Sequence, residues 1–311
     1  MKVAIVGAGN VGSACLLSLV MRGVAREIIV IDRHHARAQG VVTDIQYGAP
    51  LSCPVALRAG DYADLDGAQL VLITAGINEK TGGATDRSDA AGRLKLLDQN
   101  AAVYRDIVPK IVANAPQAVI VVVTDPPDPL ADLARMLAGH DRVLSTGTFL
   151  DTLRFRFHLA RCFGVHPMSV DAQVLGEHGT SQVFIWSSAR IGGTPIHEAL
   201  GQGAQQAQEF RQRIEQEVRF ANITIIEGTG ASQLGIGIVV ARIADAILRD
   251  EQAVFPIGAY NARYGVTLSL PAVVGRHGMS RVLEPDMTDG ERNALGESAN
   301  QLRQAVARLG H

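Results

Sequence analysis

The stretch KVAIVGAGNVG, residues 2–12, decides the fold. A short apolar run of strand length is followed at once by Gly7, Gly9 and Gly12 in G-x-G-x-x-G spacing, and helical spacing then runs over residues 11–22. The glycines permit a tight turn, close approach of backbone to a pyrophosphate, and close contact between helix and strand. The helix N-terminus offers unpaired N–H groups and a partial positive charge. A glycine turn of purely structural use has the same spacing, so the context matters. Here a second apolar run, residues 27–31, ends in Asp32, 20 positions after Gly12 (32 − 12), where a carboxylate can accept hydrogen bonds from ribose hydroxyls. The stretch therefore predicts a dinucleotide site. The acid favours NAD over NADP, because it would repel a 2′-phosphate, although Arg33 beside it is a residue an NADP site would use.

Working outward, strand and helix patterns keep alternating. Helical spacing covers 35–47, a short strand fits 55–59, and LVLIT (70–74) is a buried-strand run ending in Ala75-Gly76. Residues 93–115 read as a helix that Pro109 should kink or split. VIVVVT (119–124) is another strand, stopped by Asp125-Pro126-Pro127, with a helix over 130–138 and an extended piece at 143–145. Such alternation gives α/β structure with a doubly wound parallel sheet of Rossmann type, whose ligands bind beyond the strand C-termini. Asp32, Gly76 and Asp125 lie at such ends. The dinucleotide-binding domain is expected over 1–146 and a substrate domain of α+β character over 147–311. In the latter, strand-like residues 180–189 precede a Gly192-Gly193 turn and one long helix over 202–227. A helix at 236–248, paired strands at 254–260 and 266–274, and a closing helix at 289–309 follow.

Composition narrows the function classes. Of 311 residues, 47% are apolar and 19% charged, a globular balance, and the net charge of −2 leaves no electrostatic footprint for nucleic acid or an anionic membrane. Apolar runs stop well short of the roughly 18 residues a membrane helix needs, and the opening residues have no signal-peptide pattern. Three scattered cysteines argue against a disulfide framework or a zinc site. His34 and His35 lack companions spaced to complete a metal site. A cytoplasmic protein without a metal is expected.

Chemistry concentrates between residues 150 and 179. Asp151 and Arg154, three apart, share one face of a helix expected over 148–163, and His178 follows between two glycines that leave its ring accessible. A carboxylate can fix the imidazole tautomer and stabilise its cation, the imidazole can move a proton, and the guanidinium can hold a carboxylate by a two-point fork. A surface Asp–Arg pair with a loop histidine has the same residues. Between Gly76 and Arg93 runs a polar, glycine-bearing segment long enough to act as a lid carrying Arg93 or Arg87 inward, or simply to be a solvated loop.

With GAGNVG, Asp32, Thr74-Ala75-Gly76, Asp151-x-x-Arg154 and Gly176-Glu177-His178-Gly179 in this order, nearly the whole chain resembles the L-lactate/malate dehydrogenase family. The resemblance implies hydride transfer between a 2-hydroxy acid and nicotinamide. His178 would be the proton-transferring histidine, Asp151 its partner, Arg154 the clamp on the substrate carboxylate, and Arg93 the lid arginine that polarises the carbonyl. Asn10, Val11, Asp32, Tyr62, Thr74, Ala75 and Gly76 would contact the dinucleotide. Glu177 and Trp186-Ser187-Ser188-Ala189 look like the lactate branch, and Ser232 has a hydroxyl beside the substrate side chain. In the lid, longer than usual, the discriminating position falls on Glu79 counted forward or on Arg87 counted back. Arg87 would read the second carboxylate of a malate-type substrate. Asp125 stands where the family usually has an asparagine that donates to substrate. A lactate-type enzyme is expected first, a malate type second, and a non-catalytic dinucleotide-binding protein third. Homodimers or homotetramers are implied.

Overall fold

The computed structural model describes residues 1–77, 96–200 and 204–310. In the first half, β1 (Lys2–Val6), α1 (Asn10–Arg22), β2 (Glu27–Ile31), α2 (His35–Gly48) and β3 (Ala56–Ala59) are followed by β4 (Leu70–Ile73) and α3 (Leu97–Asn114). Then come β5 (Val119–Val122), α4 (Pro127–Ala138), β6 (Val143–Ser145) and α5 (Phe149–Phe163). The second half contains β7 (Val170–Leu175), β8 (Val183–Ile191), β9 (Thr194–Pro195) and α6 (Ile196–Leu200). It continues with α7 (Ala204–Arg219), α8 (Ala221–Thr229), α9 (Leu234–Leu248), β10 (Ala253–Asn261), β11 (Val266–Gly275), β12 (Gly278–Val282) and α10 (Asp289–Arg308).

Strands β3-β2-β1-β4-β5-β6 pair in parallel in that order, so the winding reverses between β1 and β4. A crevice opens beyond the strand C-termini at such a point. Both faces of this sheet are covered, which is why its strands read as continuous apolar runs rather than as alternation. Ile5, Ile28, Leu72 and Val121 face one apolar layer with Leu16, Leu19 and Ile243 of α1 and α9. Ala4, Val6, Val71 and Ile73 face the other, with Tyr104 and Ile111 of α3 and Leu130 of α4.

Three expectations change. The paired strands β10 and β11 do not form a sheet of their own; β10 runs antiparallel to β6 and extends the first sheet to nine strands across residue 146. The separate three-stranded sheet is β7-β8-β9, packed with α5 and α7 over Phe155, Phe184, Trp186 and Phe210. Pro109 does not split α3, whose Tyr104, Ile107, Val108 and Ile111 are anchored in the core around it. The long helix expected over 202–227 breaks at Phe220 into α7 and α8, and α8 and α9 then meet at 120°. Those two breaks turn the start of α8, Gly230 and Ser232 toward the sheet crevice.

Candidate active site

A cavity of about 600 Å³ occupies that crevice. Gly9, Asn10 and Val11 from the first loop and Thr74 and Gly76 from the end of β4 form one wall; Asp125, Arg154, His178, Asn222 and Ser232 form the other.

The first wall is made by backbone. Gly7 has φ +112°, and a Cβ there would stand 2.5 Å from the Ala75 nitrogen; a Cβ on Gly12 would stand 1.9 Å from the Gly7 carbonyl oxygen. Only bare backbone lets β1, β4 and α1 come this close. Helix α1 has no side-chain cap on Gly9 and no acid in its first turn, so its N–H groups and positive dipole end are available to an anion. Asp32, at the end of β2, accepts from the Ala8 N–H at 2.8 Å and from the His34 N–H at 2.9 Å. Its carboxylate thus shapes the loop and retains lone pairs for ribose hydroxyls. These features fit the pyrophosphate and ribose of a dinucleotide. Of the residues expected to contact the dinucleotide, Gly7, Gly12, Asp32, Tyr62 and Ala75 are not in the cavity lining; Tyr62 packs on the apolar layer with the Lys110 ammonium 5.6 Å from its ring centre. Arg33 does not line the cavity among the described residues; Arg37, on the exposed first turn of α2, does.

The second wall is made by side chains. Thr148 immediately precedes α5, and with Thr152 of the first turns it meets β7, while Asp151 projects beside them. Both threonine hydroxyls donate to the Val174 carbonyl, and the Val174 N–H donates to Thr152 Oγ1 at 2.9 Å. The end of β7 is pinned again where Gly176, at φ +84°, exchanges two backbone hydrogen bonds with Ser269 of β11. Its missing Cβ makes room for Ser298 Oγ, which accepts from the Glu177 N–H at 2.9 Å. This tethering sets His178 Nδ1 at 2.5 Å from Asp151 Oδ2. Asp151 is 2% exposed, and its other oxygen accepts from Arg154 Nη1 at 3.1 Å. Carboxylate, imidazole and guanidinium therefore converge in one cavity, with Asp151 joining the other two.

Sequence reasoning missed the group beneath the histidine. The fully buried Asp128 carboxylate accepts from the His178 backbone N–H at 2.7 Å and from Ser145 Oγ at 2.5 Å. Burial pushes its pKa up to about 6, against the opposing pull of those two hydrogen bonds. The Pro126-Pro127 pair reads as the end of a strand, yet Pro127 opens α4, a position proline suits, and Asp128 sits in its first turn. Asn100, also missed, bridges both sides: its carboxamide donates to the Asp125 carbonyl at 2.8 Å and accepts from the Ile77 N–H at 2.7 Å. Arg87, Arg93 and Glu79 lie outside the described residues.

Residues 1–144 match the model of the lactate/malate dehydrogenase NAD binding domain, and residues 148–310 match that of the lactate/malate dehydrogenase alpha/beta C-terminal domain. The chain belongs to the lactate/malate dehydrogenase family. Among its relatives, L-lactate dehydrogenase of Chloroherpeton thalassium is 42% identical over 99% of this chain and 100% of its own length. L-lactate dehydrogenase of Thermus aquaticus is 43% identical over 100% of both chains. The crystal structure of a lactate dehydrogenase from a Medee basin deep-sea metagenome library superimposes with a TM-score of 0.91 at 31% identity, covering 100% of this chain and 99% of that one. Family membership accounts for the α/β fold and for an N-terminal NAD-binding unit.

Proposed function

We propose that this chain is an NAD-dependent L-2-hydroxy acid dehydrogenase of the lactate type, interconverting pyruvate and L-lactate. The observation that carries the reading is the 2.5 Å contact between His178 Nδ1 and Asp151, in the same cavity as Arg154 and the glycine loop. The names of the relatives support the lactate branch.

The contact with Asp151 engages the Nδ1 side of the ring, which assigns the opposite nitrogen, Nε2, to the substrate. As a hydroxy acid is oxidised, Nε2 takes the proton from the C2 hydroxyl, and the buried Asp151 carboxylate stabilises the imidazolium that forms. In the reverse direction Nε2 returns the proton to the alkoxide. Such help is worth roughly 10²–10⁴-fold. Arg154 keeps one N–H on Asp151, which orients the guanidinium, and turns its remaining donors to the substrate carboxylate. The Asp128 carboxylate holds the backbone under the ring at its position. NAD, when bound, would supply the hydride acceptor at nicotinamide C4. The test is NADH oxidation with pyruvate, oxaloacetate and longer 2-oxo acids side by side. Pyruvate should have the highest kcat/KM of the first two; oxaloacetate ahead of pyruvate would move the chain to the malate type, and no turnover with any would end the enzyme reading.

We further propose that the protein assembles as a homodimer or homotetramer. Leu17 and Met21 of α1 and Leu234 and Ile238 of α9 are exposed on two helices packed side by side, an apolar surface of the kind that assembly covers. Light scattering coupled to gel filtration tests this, a monomer being the opposing result.

A further inference from the structure

Asn222 is a buried polar side chain in the cavity wall for which the proton-transfer scheme has no use. It lies at the start of α8 and lines the same cavity as Arg154 and His178. Arg219, three positions earlier, donates to the carbonyl of Thr180, two residues past His178, and feels the charges of Asp151 and Glu177. The same cavity is lined by Ile226, Gly230, Ala231, Ser232, Ile236 and Leu150. Ile226, Ala231, Ile236 and Leu150 are apolar, and a carboxamide buried in such a wall is costly unless it meets partners. A carboxamide has two N–H donors and two acceptor lone pairs, enough to keep an internal contact and still meet a ligand. Ser232 adds a hydroxyl in the same wall. Among the described residues there is also room, since none lies within 4 Å of a Cβ built on Gly230.

Once Arg154 holds the carboxylate and His178 the C2 oxygen, the rest of a 2-oxo acid extends from C3. We propose that Asn222, seconded by Ser232, reads the C3 substituent and favours one bearing a hydroxyl over an apolar group of equal size. The inference rests on the 2-oxo acid reading above and names the substrate class within it. Asn222 is then a specificity-determining residue: its carboxamide accepts from and donates to the added hydroxyl. A site with hydrogen-bonding groups in place discriminates strongly against an analogue that leaves them unmet, whereas an apolar wall separates two isosteres poorly.

The probes are 3-hydroxypyruvate and 2-oxobutyrate, which differ by OH against CH₃. The readout is the ratio of their kcat/KM values for NADH oxidation by the full chain, in wild type, Asn222→Ala and Ser232→Ala. The hydroxyl also makes the carbonyl intrinsically more reactive, and that difference is the same in every variant, so the change in ratio isolates the side chain. Wild type should favour 3-hydroxypyruvate by at least about tenfold, and Asn222→Ala should cut that ratio by about tenfold, the worth of one well-made neutral hydrogen bond. Ser232→Ala should cut it less. A wild-type ratio near or below one overturns the proposal without any variant, as does a ratio that survives in Asn222→Ala. Turnover of pyruvate with either of those results leaves the dehydrogenase reading standing, whereas no turnover of any 2-oxo acid brings down both.

Discussion

The two walls of the cavity are built on opposite plans. The nucleotide wall and the turn that backs it come from short contiguous stretches, with residues 8–11, Thr74 and Gly76 facing the cavity and Gly7, Gly12, Asp32 and Ala75 behind them, and its geometry depends on atoms that are missing: a Cβ on Gly7 or Gly12 would collide with backbone. The catalytic wall is collected from residues 125 to 232 and depends on atoms that are present. Threonine hydroxyls tie α5 to β7, Ser298 holds Glu177, and Asp128 holds the backbone of His178. The first wall should therefore fail when atoms are added and the second when they are removed.

The sharpest test of the second plan is the pair proposed above to transfer the proton. His178→Ala should lower kcat by about 10³-fold or more, and Asp151→Asn, which leaves the imidazole in place but takes away its counter-charge, by about 10²-fold. NADH affinity, read by fluorescence titration, should stay within about threefold in both, because neither side chain belongs to the nucleotide wall. A parallel loss of NADH binding would show that the two walls are not separable.

Adding a single methyl probes the first plan. In Gly12→Ala the new carbon would lie 1.9 Å from the Gly7 carbonyl oxygen, so strand and helix must part. Overpacking of this kind costs about 1–3 kcal/mol or somewhat more. The expected outcome is a lower unfolding midpoint together with at least about tenfold weaker NADH binding. Wild-type values for both would contradict the account of that turn.

The same contrast explains what could be read in the chain beforehand. The nucleotide wall is local, so G-x-G-x-x-G, the strand before it and Asp32 after it are visible in one window. Asp151 and Arg154 share a helix face, and the two glycines around His178 mark an accessible ring, so this part was visible too. Asp128 and Asn222 were hidden for physical reasons. The partner of Asp128 is 50 residues away, and the two prolines before it look like a stop although the second opens a helix. Asn222 falls inside what reads as continuous helical spacing, and only the break at Phe220 presents it to the cavity. The attachment of β10 to β6 was hidden for the same reason, since strand patterns identify pairs joined by a turn and not an edge across the sheet.

Asp128 separates the holding of a loop from the holding of a charge. In Asp128→Ala the His178 N–H loses its buried acceptor, at a cost of about 1–3 kcal/mol, and kcat should fall as the ring shifts. In Asp128→Asn one oxygen still accepts from that N–H and the amide can donate to Ser145, so activity at neutral pH should be largely kept. The pH dependence of stability should change instead. Burial raises the folded-state pKa from 3.8 to about 6, so between those values the folded form binds more protons than the unfolded one. This contribution is fully present below pH 3.8 and is lost as the pH rises through about 6. The two values bound it at roughly 3 kcal/mol. Wild type should lose stability relative to Asp128→Asn as the pH is raised across that window, and parallel unfolding midpoints would show that Asp128 does not titrate there.

The smallest effect is expected at Asp125, which shares the wall with Arg154 and His178. Its backbone carbonyl is fixed by Asn100, so a change of its side chain should leave the local chain path intact. An ionised aspartate cannot donate a hydrogen bond to substrate, and its charge opposes that of the substrate carboxylate. Asp125→Asn removes the repulsion and adds two donors, and KM for pyruvate should fall by about three- to tenfold, the range of one modest hydrogen bond. Because the gain comes from the substrate's charge and not from its C3 group, the ratio between 3-hydroxypyruvate and 2-oxobutyrate should stay as in wild type. An unchanged or higher KM would mean that Asp125 already serves the substrate in a way asparagine cannot, for instance through its charge or by accepting at both oxygens at once. The catalytic wall would then discriminate through its acid as well as through its amide.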